Sequence, residues 1–269
     1  MVISAQRTIY SISLELDSRI GKPFEALENT TLNEKFGVAS KINLDDGEYP
    51  EIKYYVIGVG GNDFIKGNQG YNYSSHSPID AALFQHIPFV MRPVNNDLLE
   101  SEKTQYRMRV IEEINGVEYA CYYLKLIPNI ELRDYFFEVM HDGDKDILSP
   151  YNNKTDKLLN PTPRDRKPGV EIANTAKYIT KLAKLEFSLY KDELEEVQDV
   201  LELRGLTDRK LTEIGVCTGM DKVIDDVTQA TNVQVGYHID VNLDLSIELQ
   251  HDTNILRAIE IGGTEPIVI

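Results

Sequence analysis

Period-two alternation dominates the chain. Over residues 8–16, Tyr10, Ile12, Leu14 and Leu16 alternate with Ser11, Ser13 and Glu15, which predicts a half-buried strand. Residues 51–59 (EIKYYVIGV) predict a second strand, rich in β-branched and aromatic types, followed by a Gly-, Asn-, Ser- and Tyr-rich loop over about 60–78. Residues 78–92 read as a short helix opening near Pro78 and then a strand, because Pro88 cannot sit inside one continuous helix.

The sharpest local signal is Asn115-Gly116 between YRMRVIEEI and VEYACYYLKLI. Asn-Gly supplies the two positive φ angles of a type I′ turn, so a hairpin is predicted over 106–127. Its register sets Ile114 opposite Val117, Glu113 opposite Glu118, Val110 opposite Cys121 and Met108 opposite Tyr123. A second hairpin is expected around Asp142-Gly143.

Residues 189–206 (LYKDELEEVQDVLELRGL) have helical spacing. Leu194, Val197 and Leu201 recur on one side, with Val200 beside them. Asp192, Glu193, Glu195 and Glu196 crowd the N-terminal turns and read as a solvated face. Arg204 and Gly205 suit a helix C-terminus. From Val233 to Leu249 every odd position is apolar and every even position is polar or Gly. Seventeen extended residues span about 56 Å, so a bend or bulge is expected to divide the strand, with Gly236 as one candidate site. Residues 255–261 supply a returning strand.

These elements define an α+β fold, predominantly antiparallel, with β-hairpins, one clear amphipathic helix and a long C-terminal amphipathic strand. Residues 1–149 form a β-rich region and 150–170 a Pro-rich basic linker or arm. Residues 171–269 form an α+β region that can pack back onto the first. The 150–169 stretch holds Lys154, Lys157, Arg164, Arg166 and Lys167 against Asp156 and Asp165, a local sum of +3.

The chain has 269 residues, 28 Lys and Arg against 44 Asp and Glu, and a formal net charge of −16. That balance argues against a general nucleic-acid binder, which needs a basic surface to displace counterions. There is no apolar run long enough for a membrane-spanning helix and no signal-peptide pattern. Two distant cysteines exclude a disulfide scaffold and a Cys-based zinc site, and fit a reducing cytoplasm. Cys121, on the apolar hairpin face, reads as a buried inert thiol.

Candidate chemistry is sparse. Gly58-Val59-Gly60-Gly61 has Asp63 where a dinucleotide fingerprint needs its third Gly, and reads as a turn. His238, Asp240 and Asp244 share a strand face that could meet a cation, but alternation alone accounts for them as its wet side. His76 and His86, ten apart with Asp80 between them, match no standard ligand set. No nucleophile motif is found. No catalytic residue, cofactor or metal is therefore assigned. Tyr71 and Tyr73, in the 60–78 loop, are interface candidates along with the five basic residues of the 150–170 segment.

Thr212-Glu213-Ile214-Gly215-Val216-Cys217 resembles an element of structural proteins from tailed-phage tails and baseplates. Tyr54–Val59 followed by Gly60-Gly61-Asn62 is similar to a strand-turn in the same proteins. The resemblance covers about a tenth of the chain. It implies a non-enzymatic virion component (baseplate, tail accessory or neck) made in the host cytoplasm. Such a component would contact copies of itself and other virion proteins, with neither nucleic acid nor membrane as partner. On this reading the basic arm docks on an acidic patch of a neighbour. The alternative is a β-rich enzyme or carbohydrate-binding module whose pocket is lined by loop 60–78.

Overall fold

The structure, a computed structural model, describes residues 2–39, 43–45, 47–65, 70–142, 145–151, 176–206, 209–224, 226–245 and 254–266. The chain divides into two compact units, residues 1–127 with 189–255, and residues 128–188 with 256–269. The basic residues Lys154, Lys157, Arg164, Arg166 and Lys167 lie outside the described residues.

The first unit is built on an eight-stranded sheet. In chain order its elements are β1 (Val2–Arg7), α1 (Ile9–Ile20), α2 (Leu32–Phe36), β2 (Glu51–Gly58), β3 (Asn62–Ile65), β4 (Gly70–Tyr73), β5 (His86–Ile87) and β6 (Val90–Pro93). Then come α3 (Glu100–Lys103), β7 (Tyr106–Ile114), β8 (Val117–Leu126), α4 (Lys191–Leu203), β12 (Lys210–Ile224) and β13 (Val227–Asp244). The sheet runs β1-β13-β12-β2-β8-β6, with β5 paired to β2 and β7 to β8. β3 and β4 form a separate two-stranded ribbon. The second unit carries β9 (Asn129–Asp142), β10 (Lys145–Tyr151), β11 (Ala176–Leu189) and β14 (Ile255–Pro266), in the order β10-β9-β11-β14. The architecture is α+β and mostly antiparallel sheet, as the alternation predicts.

The Asn-Gly hairpin forms as expected. Asn115 has φ 53° and Gly116 φ 79°, and Ile114 pairs with Val117, Glu113 with Glu118 and Val110 with Cys121. Met108 interrupts the regular strand with φ 56°, so no Met108–Tyr123 pair forms, although Arg107 and Arg109 keep the same frame. The second hairpin also forms, with Asp142 paired to Lys145. Helix α4 buries Leu194, Val197, Val200 and Leu201, and Gly205 follows it at φ 69°.

Four expectations are corrected. Residues 9–20 are helix, not strand. Thr8 caps it, its hydroxyl accepting the Ser11 N–H, and Gly21 ends it in the left-handed conformation. Ile9, Ile12, Leu16 and Ile20 recur at helical spacing, and a nine-residue window fits both periods. No helix opens at Pro78. Asp80 accepts the Ser77 N–H in a turn, and Glu213 takes the N–H groups of Phe84 and Gln85. The 60–78 loop contains the β3–β4 ribbon. Only the backbone of Tyr71 and Tyr73 is described, with Tyr71 opposite Phe64 and Tyr73 opposite Asn62.

The fourth correction concerns the long strand. β13 begins at Val227, and its pairing with β12 slips at Gly236, as expected, between Val216–Tyr237 and Cys217–Val235, and again beside Asn232 (φ 52°), between Thr218–Gln234 and Met220–Thr231. Its polar face is not wet along its length: Gln234 and His238 are as buried as Val233 and Ile239. The elements laid over that face bury it. Asn33 of α2 donates to the Ala230 carbonyl and accepts the Val233 N–H, and Gln234 donates to Thr30.

Candidate functional site

The densest buried polar cluster centres on Glu213, the second residue of the Thr212–Cys217 string. β12 lies antiparallel to β2, with Glu213 opposite Gly58, Ile214 opposite Ile57 and Gly215 opposite Val56. The Thr212–Cys217 string and the Tyr54–Val59 strand are thus neighbours in one sheet. Glu213 is 1% exposed. Its Oε1 accepts the N–H of Gly60 at 2.6 Å and of Gln85 at 3.2 Å. Its Oε2 accepts the N–H of Phe84 at 2.7 Å and stands 2.8 Å from His76 Nε2. Thr212 adds a bond from its hydroxyl to the Gly60 carbonyl.

The glycines make this possible. A Cβ at Gly58 would stand 2.6 Å from the Gln85 carbonyl oxygen and 2.8 Å from Glu213 Oε1. At Gly60 it would stand 2.5 Å from Phe84 Cβ and 2.8 Å from the same carboxylate oxygen. The Gly-rich turn therefore leaves room for a carboxylate from the neighbouring strand, and the fingerprint's missing Gly has no role here.

Three histidines finish the cluster. His76 is sandwiched between Phe84, with centroids 4.2 Å apart, and His238, at 3.9 Å. Burial disfavours its cation, but the bond to Glu213 outweighs this, helped by the charges of Glu213 and Asp240 and by Asp80, whose Oδ2 lies 3.4 Å from Nδ1, so its pKa is raised. His238 Nε2 donates to the Asp80 carbonyl at 3.0 Å. Burial lowers its pKa against that bond, and the neighbouring His76 lowers it further. His86 Nε2 accepts the Leu83 N–H at 3.0 Å, which requires the neutral ring. Burial, with Lys35, His238 and His76 adding to it, pulls the His86 pKa down to about 3. The stack thus pairs an imidazole whose pKa is raised with one whose pKa is lowered.

Chemically, the arrangement fastens. Four donors occupy the Glu213 carboxylate, and both faces of His76 are covered. The groups tie together the turn after β2, the segment 76–86, β12 and β13. The void beside Gly60, Gly61, Ser74 and Asp240 measures only about 10 Å³, room for one water at most. Among the described residues no group of three or more His, Cys, Asp or Glu could hold a metal ion. Asp240 and Asp244 are half-buried on β13.

Other polar groups also join elements distant in sequence. Lys125, nearly buried, pairs with Glu193 of α4, and Tyr106 donates to the same carboxylate. Burial lowers the Lys125 pKa against the pull of Glu193. Glu196 pairs with Arg92. Of the four acids expected to be solvated on α4, two therefore reach the sheet, while Asp192 and Glu195 are exposed. Asp221 accepts from Tyr54 and from Arg107. Both thiols are buried.

A larger cleft of about 660 Å³ lies elsewhere in the first unit, where Asp97, Lys103, Arg107, Arg109, Tyr122 and Thr228 contribute to its walls. Its cations are paired: Arg109 and Lys103 with Asp97, Arg107 with Asp221. Sequence reasoning did not find this cleft or the role of Glu213. The one signal was the Thr-Glu-Ile-Gly string itself, an acid inside an apolar strand.

The fold and the cluster define an α+β protein built on an antiparallel sheet with a carboxylate-locked turn. The chain belongs to a family of unknown function, DUF7208, whose model matches residues 2–269. No curated protein and no solved structure matches it.

Proposed function

We propose that the chain is a non-enzymatic structural component of a tailed-phage particle, in the baseplate, tail accessory or neck, acting through subunit–subunit contacts. The observation that carries this reading is the Glu213 centre. The buried Glu213 carboxylate takes three backbone N–H groups and His76 from segments distant in sequence, as in a part that holds shape. The resemblance adds support, because its two strings form one contiguous piece of structure.

The test is assembly of the purified full chain, followed by mass photometry and negative-stain imaging. Rings or defined oligomers are expected, and deletion of 152–167 should leave the circular dichroism spectrum unchanged while abolishing the higher assemblies. A chain that stays monomeric at all concentrations and binds a small ligand with good affinity would overturn the reading. The 660 Å³ cleft favours that second reading, a ligand-binding module, and lies within the size range of small-molecule sites. Its walls come from Val38, 97–109, Tyr122 and 226–230, not from loop 60–78.

A further inference from the structure

We propose that the outward face of α1 is the surface through which two copies of this chain associate. The inference rests on the assembly reading and gives it a surface and a partner. Helix α1 holds onto its own unit thinly. Of its twelve residues only Ser11 and Leu14 are buried. On the opposite side Ile9, Ile12, Leu16 and Ile20 are exposed by 50%, 50%, 57% and 65%. Their spacing of three, four and four residues makes one stripe along the whole helix. Ile79, 67% exposed, extends it, since Tyr10 donates to the Ile79 carbonyl at 2.9 Å and the Ile9 N–H to the Pro78 carbonyl at 2.8 Å.

The stripe is rigidly displayed. Thr8 and Gly21 cap the helix at its two ends. Arg7 reaches back to the Ser11 carbonyl and to Glu15, which also pairs with Arg19. Little order is therefore lost when the face is covered. The five side chains expose on the order of 500 Å², more than half of the ~800 Å² each partner gives to a standard interface; a polar rim of Ser13, Asp17 and Arg19 can supply the rest.

Charge selects the partner. Residues 1–27 carry Arg7, Arg19 and Lys22 against Glu15, Asp17 and Glu25, a sum of zero, while the whole chain carries −16. Two acidic copies repel wherever their acidic surfaces meet, and this balanced face lets them approach without that penalty. An anionic membrane would be repelled by the whole chain, and the helix lacks the basic polar face of interfacial helices. A shared apolar stripe suits a two-fold contact in which the same patch serves both copies.

The experiment is sedimentation velocity of the full chain across a concentration series, with Leu16→Glu, the milder Leu16→Ser, and Val223→Glu as a control at an exposed apolar residue on β12. Wild type should dimerise in the micromolar range. Leu16→Glu should raise the dimer Kd at least about 100-fold and Leu16→Ser by less, with circular dichroism unchanged, while the control behaves as wild type. Equal dimerisation by wild type and both Leu16 variants overturns the α1 surface but leaves the assembly reading standing. A wild type that stays monomeric overturns the inference. If negative-stain imaging also shows no particles, the assembly reading fails with it.

Discussion

His76 and His238 lie ring over ring, their centroids 3.9 Å apart and their planes 11° from parallel. Glu213 raises the pKa of one ring and burial lowers that of the other. The stack is therefore sensitive to protons from both sides.

Stability should fall on acidification from about pH 6.5. His86 and His238 have depressed pKa values in the folded chain. Below the unfolded value of about 6.5 the unfolded chain binds protons the folded chain refuses, so their contribution is present above that pH and is lost as pH falls. His76 has the opposite sign. Its contribution is complete below pH 6.5 and is lost as pH rises through its raised folded value. Each refused proton gives a slope of about 1.4 kcal/mol per pH unit. His86→Gln, which keeps an acceptor for the Leu83 N–H, should remove one such slope between pH 6 and 4.5 in urea titrations. An unchanged slope would show that His86 is not a refusing site.

Removing the Glu213 side chain should be severe. Glu213→Ala strands three backbone N–H groups and the buried His76 ring, a loss of about 3–5 kcal/mol by analogy with broken buried pairs. Glu213→Gln keeps the shape and should lose less. Chemical denaturation gives both values, and a loss below about 1 kcal/mol for Glu213→Ala would contradict the fastening role.

A methyl group at Gly60 has nowhere to go. Its nearest neighbours would be Phe84 Cβ, the Gln85 nitrogen and a Glu213 oxygen, all under 3.0 Å. Gly60→Ala should cost about 1–3 kcal/mol through overpacking. It should also speed hydrogen exchange at the Phe84 and Gln85 amides. Exchange at wild-type rates would mean that the carboxylate does not depend on this gap.

Neither thiol should react in the native chain. Cys121 is pushed up to about 12 by burial, with Glu112 adding to the effect and Arg204 opposing it; burial alone pushes Cys217 higher still. Thiolate is the reactive species, so a disulfide reagent at pH 8 should label no cysteine until denaturant is added. Stoichiometric labelling without denaturant would place a thiol at the surface.

What the sequence determined by itself was local. Asn115-Gly116 set the hairpin and its register, because two positive φ angles admit few residues and leave one way to pair the flanking strands. The spacing of Leu194, Val197 and Leu201 set α4, because a long periodic segment allows only one period. The short window at 8–16 fitted two periods, and only the cap at Thr8 and the packing of Ser11 and Leu14 on β13 decided for helix. The face of β13 holding Gln234 and His238 looked solvated because alternation reports a difference in polarity, not what lies above the strand. Tertiary structure brought α2 and segment 76–86 over it. The Glu213 centre was invisible for the same reason: its ligands come from residues 60, 76, 84 and 85, and only the pairing of β12 with β2 carries the carboxylate to them.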